Sequence, residues 1–462
     1  MVMIYLTNSL TKKKELFTPI VPGSVGLYSC GPTVYDYVHI GNLRAFLLSD
    51  MVRRVFEYNA YRVRQVINIT DVGIGGDNDE GEDKIIRGLK REGKPITLEA
   101  MKELTDFYTN TFKENLIALN ILPPHELPRA SRHITEDITL IQKLENKGFV
   151  YTISDGVYFD TAKDPNYGKL GGTGGDTSRI GVKSDKKNPK DFAVWKFNSS
   201  IGYESPWGQG FPGWHIECSA MSERYLGAHF DIHTGGADLA PIHHNNEIAQ
   251  SECAHGHPFV NYWLHNAFIN VESGKMAKSE GTGITLNTIV ERGFNPLVYR
   301  YWLLGGHYRT PMTFSWEALE AAAQAYKRLQ AFVNEWSSEV SHAGLSIGSK
   351  KPYEDLFLKA INDDINTPQA LAILWDMAAD AGLGSYIKKD LLLKFDTVLG
   401  LGLDRVLTKV SVPEKVKNLA AEREQARHEK RWNDADMLRR QIHDLGFDVK
   451  DTPHGPLIVE KN

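Results

Sequence analysis

A chain of 462 residues exceeds what one hydrophobic core usually organises, so a main domain with smaller companions is expected. Its 42% apolar and 24% charged residues are ordinary for a globular protein, and a formal net charge of −5 excludes a generally basic nucleic-acid coat while leaving room for a local RNA-facing surface. Three cysteines (Cys30, Cys218 and Cys253), an N-terminus that turns polar by Asn8 and no apolar stretch of membrane length together predict a cytoplasmic protein with no disulfide framework and no membrane partner.

Along the chain, Val25–Ser29 reads as a short strand stopped by Cys30-Gly31-Pro32. A helix is predicted from about Leu43, because Leu43, Phe46, Leu47, Val52, Val55 and Phe56 share one broad face. A second strand covers Arg62–Ile69 and closes at Thr70-Asp71. Strand, helix and strand in about fifty residues form the unit of a Rossmann-like, doubly wound parallel sheet. From 116 to 204 the pattern loosens into an insertion, in which Phe192, Val194, Trp195 and Phe197 need a place to pack. Sheet pattern returns at His229–His233. Residues 316–400 read as helical, with clear spacing over Trp316–Trp336 and Ala370–Leu383. After Pro413 a charged helix pair runs to about Leu445, then a short strand over Phe447–Val449. The fold class is therefore α/β: a parallel sheet with an insertion, a helical bundle and a small C-terminal α+β module.

Two segments suit a nucleotide. His39-Ile40-Gly41-Asn42 lies where the first helix begins, and a helix N-terminus offers unpaired N–H groups to a phosphate. Gly41 permits close approach, and His39 can donate to phosphate oxygens. Alone, the segment reads better as a helix cap with an exposed histidine. Lys275-Met276-Ala277-Lys278-Ser279 places two ammonium groups on a turn, which suits a pentacovalent phosphate and a departing pyrophosphate, although on its own it reads better as a solvated basic turn. The two together in one chain point to ATP.

Eight of the sixteen histidines fall between His215 and His265. His243 and Glu247 are four apart, on one helix face, and Cys30 and Cys218 could complete a tetrahedral site of two thiolates, one imidazole and one carboxylate, which favours one zinc ion per chain. Singly, each cysteine reads as a small buried apolar residue and His243 as a satisfied core histidine.

Several blocks together resemble the cysteinyl-tRNA synthetases, class I aminoacyl-tRNA synthetases. They are Cys30–Asp36 running into His39-Ile40-Gly41, Asn68–Asp71, Gly213–Met221, Asp231–His233, His243–Glu247 and Lys275–Ser279. The resemblance covers nearly the whole chain. It implies Cys30, Cys218, His243 and Glu247 as zinc ligands, and Thr33, Thr70, Trp214 and His233 around the cysteine substrate. It also implies Asp238 at the adenosine ribose, Lys278 at ATP, and His39 as the first residue of the histidine signature. His39, Lys275 and Lys278 would then act catalytically, with Gly41 and Asn42 completing the ATP site and Mg²⁺ accompanying the nucleotide. Three departures stand out: Asn42 in place of the signature's last histidine, Ala277 in place of the loop's first serine, and a lengthened Gly73–Asp83 loop.

The implied activity is ligation of L-cysteine to tRNA(Cys) through an adenylate, by a monomer. The implied division is 1–115 and 205–265 for the two halves of the catalytic domain, 116–204 for the connective insertion and 266–315 for the lysine loop and stem-contact region. Residues 316–405 would form the helical bundle and 406–462 an anticodon-binding module. Glu414–Gln441 holds eight Lys/Arg against six Asp/Glu, a net of +2, and Trp432 stands among Lys430, Arg431, Arg439 and Arg440. Basic groups beside an aromatic suit anticodon bases, although a salt-bridged helix pair has the same composition. Two rivals remain from sequence: a ligase that passes activated cysteine to a small amine, and an RNA-binding paralogue without catalysis.

Overall fold

The computed structural model describes residues 3–72, 83–171, 185–271, 283–339, 348–407, 413–429, 431–452 and 455–460. A hairpin of β1 (Tyr5–Asn8) and β2 (Lys13–Leu16) comes first. Next are β3 (Ser24–Ser29), α1 (Ile40–Tyr58), β4 (Arg62–Ile67), α2 (Lys84–Arg91) and α3 (Leu98–Ala118). Helix α4 (Ile134–Asn146) leads into β5 (Val150–Ile153), β6 (Gly156–Phe159), β7 (Phe192–Phe197) and β8 (Gly210–Pro212), an antiparallel sheet in that order. The chain continues through α5 (Ile216–Leu226), β9 (Phe230–Gly236), a π-helical turn at Ala240–His244, α6 (Asn245–His255) and β10 (Val260–Asn266). Strand β11 (Ile269–Val271) is separated by α7 (Leu286–Glu291) and α8 (Pro296–Leu304) from its parallel partner β12 (Met312–Phe314). Helices α9 (Trp316–Glu339), α10 (Lys351–Asn362), α11 (Thr367–Ala379) and α12 (Ser385–Leu399) follow. The last elements are α13 (Glu414–His428), α14 (Trp432–Asp444) and the hairpin β13 (Phe447–Thr452) and β14 (Gly455–Glu460).

The main sheet has the order β10-β9-β3-β4 and is parallel throughout, the class that the sequence implies. Helix α1 packs across its strands and α5 packs against β3 and β4. Strand order reverses between β3 and β9. In open α/β sheets such a switch point leaves a crevice beyond the carboxyl ends of the strands, and ligands bind there. The segment read as an insertion shares an apolar cluster with the helices that follow it: Phe192, Val194 and Trp195 bury themselves with Leu140, Ile141, Leu144 and Phe159 and with Ile216 and Ala220 of α5 and Ala249 and Ala254 of α6.

Local boundaries differ from the sequence reading for identifiable reasons. Helix α1 starts at Ile40, earlier than Leu43, because the His39 imidazole caps it and accepts from Asn42 N–H at 3.2 Å. Strand β4 stops at Ile67, and Ile69 and Thr70 pair instead with Arg129 and Thr33. The returning strand begins at Phe230 and reaches Gly236. The helix read to Leu383 ends at Ala379, where the Asp380 carboxylate turns to Gly382 N–H at 2.7 Å. The final strand runs to Thr452 and gains a partner that sequence reading missed. The Gly73–Glu82 stretch of the lengthened loop lies outside the described residues.

Candidate metal and nucleotide site

Cys30 is the first residue after β3, at the mouth of the switch-point crevice. The turn that follows depends on Gly31, where a Cβ would lie 1.5 Å from the Asn68 carbonyl oxygen, so no other residue fits without moving the backbone. Asn68 Oδ1 accepts from Gly31 N–H at 2.8 Å and fixes the turn. The crevice opens into a cavity of about 1210 Å³, lined by Cys30, Thr33, His39, Gly41, Asn42, Trp214, Asp238 and His243 among others.

Four groups converge at its floor and just beneath it, Cys30 and His243 lining the cavity and Cys218 and Glu247 lying behind them. Cys30 from the β3 turn, Cys218 from α5, His243 from the π-helical turn and Glu247 from α6 place one donor atom each within 4.8 Å of all the others, and all four are buried. The two sulfurs are 3.8 Å apart and both thiols are free. Two sulfurs each 2.3 Å from a tetrahedral zinc stand about 3.8 Å apart, so the pair already has the required spacing. Cys30 Sγ is 3.4 Å from Glu247 Oε1, and His243 Nε2 is 3.1 Å from the same oxygen. That nitrogen has no hydrogen-bond partner, because the contact is misaligned for one. A buried ring nitrogen that makes no aligned hydrogen bond, beside two thiols and a carboxylate, is what a cation would satisfy. The residues therefore fit a zinc ion.

The electrostatics agree. The Cys30 hydrogen bond holds the Cys218 thiol down at about 6 despite burial. Burial pushes Glu247 up, but His233 and His243 outweigh it and keep the carboxyl at about 2. Burial pulls His243 down, yet Cys218 and Glu247 lift it to about 10. Burial and the neighbouring Cys218 push the Cys30 thiol well above its usual range, so the two thiols respond as a pair, while the Glu247 carboxylate is held ionised beside the His243 imidazole.

Surrounding groups orient these four. His233 Nε2 meets the other Glu247 oxygen at 2.9 Å, and its ring stacks on Trp263 at 4.4 Å. His215 Nδ1 meets His243 Nδ1 at 2.9 Å. His244 Nε2 lies 3.4 Å from Cys30 Sγ, while its Nδ1 meets His265 Nε2 at 2.7 Å and His265 Nδ1 meets Ser9 Oγ at 2.8 Å. Burial drives His215 and His244 well below the usual imidazole range and His265 to about 3. Sequence reading saw the histidine enrichment but not these three partners; their shared burial joins residues far apart in the chain.

The remaining sequence candidates divide. Trp214 lines the cavity and packs edge-on against His243 at 4.6 Å. Thr33 lines it too and pairs with Thr70, which is buried behind it. Cys218, Glu247, His233 and Thr70 lie outside the lining, one layer deeper. His39 caps α1, and Gly41 and Asn42 lie in its first turn; all three line the cavity, that turn holds no acidic residue, and Asn42 Oδ1 has no hydrogen-bond partner. Asp238 stands beyond the end of β9. Lys275 and Lys278 lie outside the described residues. Both flanks of their segment reach the site: Val271 lines the cavity, and Gly283 comes to 3.7 Å from His39 Cβ, measured from the position of its missing Cβ. Lys84 and Arg87 of α2 also line the cavity and were not singled out from sequence.

Known proteins agree with this architecture. The model of the class I tRNA synthetase (C) catalytic domain matches residues 16–324, that of the DALR domain 356–404, and that of the cysteinyl-tRNA ligase anticodon binding domain 410–455. The chain is 44% identical to cysteine–tRNA ligase 1 of Burkholderia lata, covering 97% of this chain and 95% of that one. It is 39% identical to the cysteine–tRNA ligase of Treponema denticola, covering 96% and 97%. A Mycobacterium tuberculosis methionyl-tRNA synthetase, solved with methionyl-adenylate, shares the fold at a TM-score of 0.58 with 13% identity, covering 86% of this chain and 94% of that one. With the catalytic, DALR and anticodon-binding models all matched and near-full-length relatives well above 30% identity, this chain belongs to the cysteine–tRNA ligases, enzymes of the class I aminoacyl-tRNA synthetase family.

Proposed function

We propose that the enzyme activates L-cysteine with ATP as cysteinyl-adenylate and transfers it to the 3′-terminal ribose of tRNA(Cys). The observation that carries this reading is the Cys30–Cys218–His243–Glu247 donor set, whose Cys30 lies on the same β3-to-α1 connection that leads into the His39-capped helix. In the first step a carboxylate oxygen of cysteine bonds to the ATP α-phosphorus and the bond to pyrophosphate breaks. In the second, the ribose hydroxyl bonds to the carbonyl carbon, the bond to AMP breaks, and the hydroxyl proton leaves with solvent or AMP. Neither step requires a protein nucleophile, so positioning and charge stabilisation carry the catalysis.

The α1 N-terminus, with Gly41, Asn42 and His39, would receive the phosphates of Mg²⁺-bound ATP, and Asp238 the ribose. Lys275 and Lys278 would neutralise the developing charge; the approach of Val271 and Gly283 to the cavity supports that reach. Trp214 and Thr33 would wall the amino acid, with Thr70 supporting Thr33 from behind. His233 is better assigned to holding Glu247 than to touching substrate, since it faces that carboxylate. A zinc ion held by the four donors would ligate the substrate thiolate and not a serine hydroxyl. A shaped pocket, by comparison, separates groups one atom apart by only about 1–3 kcal/mol. All these groups come from one chain, in keeping with a monomer. Among the described residues no helix is long and apolar enough to cross a membrane, and we assign the protein to the cytoplasm.

Pyrophosphate exchange tests the reading. Exchange with cysteine but not serine, followed by charging of tRNA(Cys), is expected. Absence of cysteine-dependent exchange would overturn it, and exchange without charging would instead favour transfer to a small amine. The matched anticodon-binding region argues against that rival in advance.

A further inference from the structure

Helix α2 contains Lys84, Arg87, Lys90 and Arg91 and no acidic residue. Ile85, Gly88 and Leu89 form its buried face, and the packing leaves no room for a side chain at 88, where a Cβ would meet Leu104 and the Tyr35 carbonyl at 2.9 Å. Lys84, Arg87 and Arg91 stand at i, i+3 and i+7, so they form one stripe along the flank of the helix beside that buried face, over about 10 Å. Each lies over a different aromatic ring. Lys84 Nζ is 4.5 Å from the Trp214 centroid, the Arg87 guanidinium 5.3 Å from Tyr35, and that of Arg91 5.7 Å from Tyr108.

The series begins in the cavity, which Lys84 and Arg87 line, and ends outside it. Arg91 donates to the Tyr108 hydroxyl at 2.9 Å and pairs with Asp36 at 2.9 Å. The Tyr108 ring stands at 90° to Tyr37, 5.2 Å away, and Tyr37 meets Phe107 edge-on at 6.3 Å. Tyr37 is 39% exposed and Phe107 53% exposed. Cation–π pairing contributes to stability on its own account, but it does not explain two large aromatic residues left in solvent at the end of the series.

We propose that this face of α2, with Tyr37 and Phe107, is the track along which the unpaired 3′ end of the tRNA enters the cavity. The proposal rests on the ligase reading above. Splayed bases stack on the exposed rings, because every base has a π-face, and the phosphates meet the cations of α2. A folded protein surface would not need this alternation of cation and ring, whereas a single strand repeats phosphate and base at the same alternation.

The test uses the full chain with two RNAs, the tRNA(Cys) transcript and the same transcript lacking its unpaired 3′ nucleotides. Phe107→Ser is expected to weaken binding of the complete transcript about tenfold and raise its KM in charging, while cysteine-dependent pyrophosphate exchange is unchanged. The shortened transcript should bind Phe107→Ser and the parent protein alike, and Phe107→Trp should restore complete-transcript binding. Arg87→Gln should reduce the salt dependence of complete-transcript binding by about one charge. Equal weakening of both transcripts, no weakening of either, or loss of exchange in Phe107→Ser would overturn the track. A parent protein that neither exchanges with cysteine nor charges tRNA would instead refute the ligase reading itself.

Discussion

Asp137 is fully buried in the first turn of α4, and neither carboxyl oxygen has a hydrogen-bond partner. Burial, and then the charges of Glu136 and Cys218, push its pKa well above the usual carboxylate range. The unfolded chain would release this proton near pH 4. Between that value and the raised folded one, the native state binds more protons than the unfolded state, so stability falls as pH rises. Asp137→Asn removes the penalty: it should leave stability near pH 4 almost unchanged and raise it by about 1–3 kcal/mol at pH 8. Urea unfolding at the two pH values checks this, and an equal effect at both would refute it. No sequence pattern marks Asp137, since its peculiarity is the absence of a partner. The four proposed metal donors are the opposite case. Their residue types and the His243/Glu247 spacing are legible, while the second layer is not. His244 and His265 are 21 positions apart and meet only because the π-helical turn after β9 comes against β10, the parallel neighbour of β9.

At the scale of elements, the charged contacts are junctions. Arg300 on α8 is completely buried, and its guanidinium donates to Asp50 of α1 at 2.6 Å, to the Leu119 and Asn120 carbonyls after α3, and to the Leu399 carbonyl at the end of α12. Four helices therefore meet at one side chain, with Arg54 Nε on the same Asp50 oxygen at 2.8 Å. Arg300→Met strands that carboxylate beside a single cation and empties the Leu119 and Leu399 carbonyl acceptors, while the Asn120 carbonyl keeps Arg54 at 2.7 Å. A loss of about 3 kcal/mol is expected, and a second change, Asp50→Asn, should recover part of it. Denaturant midpoints for the two single variants and the double variant measure the coupling; strictly additive losses would contradict the junction. The helices themselves were legible from apolar spacing, but their ends depend on caps. His39 starts α1 earlier than the apolar face suggests, and Asp380 ends α11 before the apolar stretch runs out.

At the scale of the whole molecule, the hydrophobic clusters set what can be removed. Val416, Ala420, Ile442, Phe447 and Val449 form a C-terminal cluster distinct from the main one, which holds the β3 turn, α1 and the bundle helices. The anticodon-binding model matches the residues that build this module, and Trp432, which opens α14, is 59% exposed. A module with so small a core contributes little to burying the main sheet. Ending the chain at residue 407 should therefore leave the main unfolding transition and cysteine-dependent pyrophosphate exchange intact, because every proposed ATP and cysteine group precedes that point. Charging of tRNA(Cys) should fall steeply through KM. Trp432→Ala in the full chain should reproduce part of that fall, about tenfold if one base stacks on the indole, with exchange again unchanged. Thermal unfolding, exchange and charging on both proteins separate the possibilities. A truncated chain that loses exchange would mean that the module supports the catalytic fold. A Trp432→Ala variant that charges normally would move anticodon recognition to another face of the module.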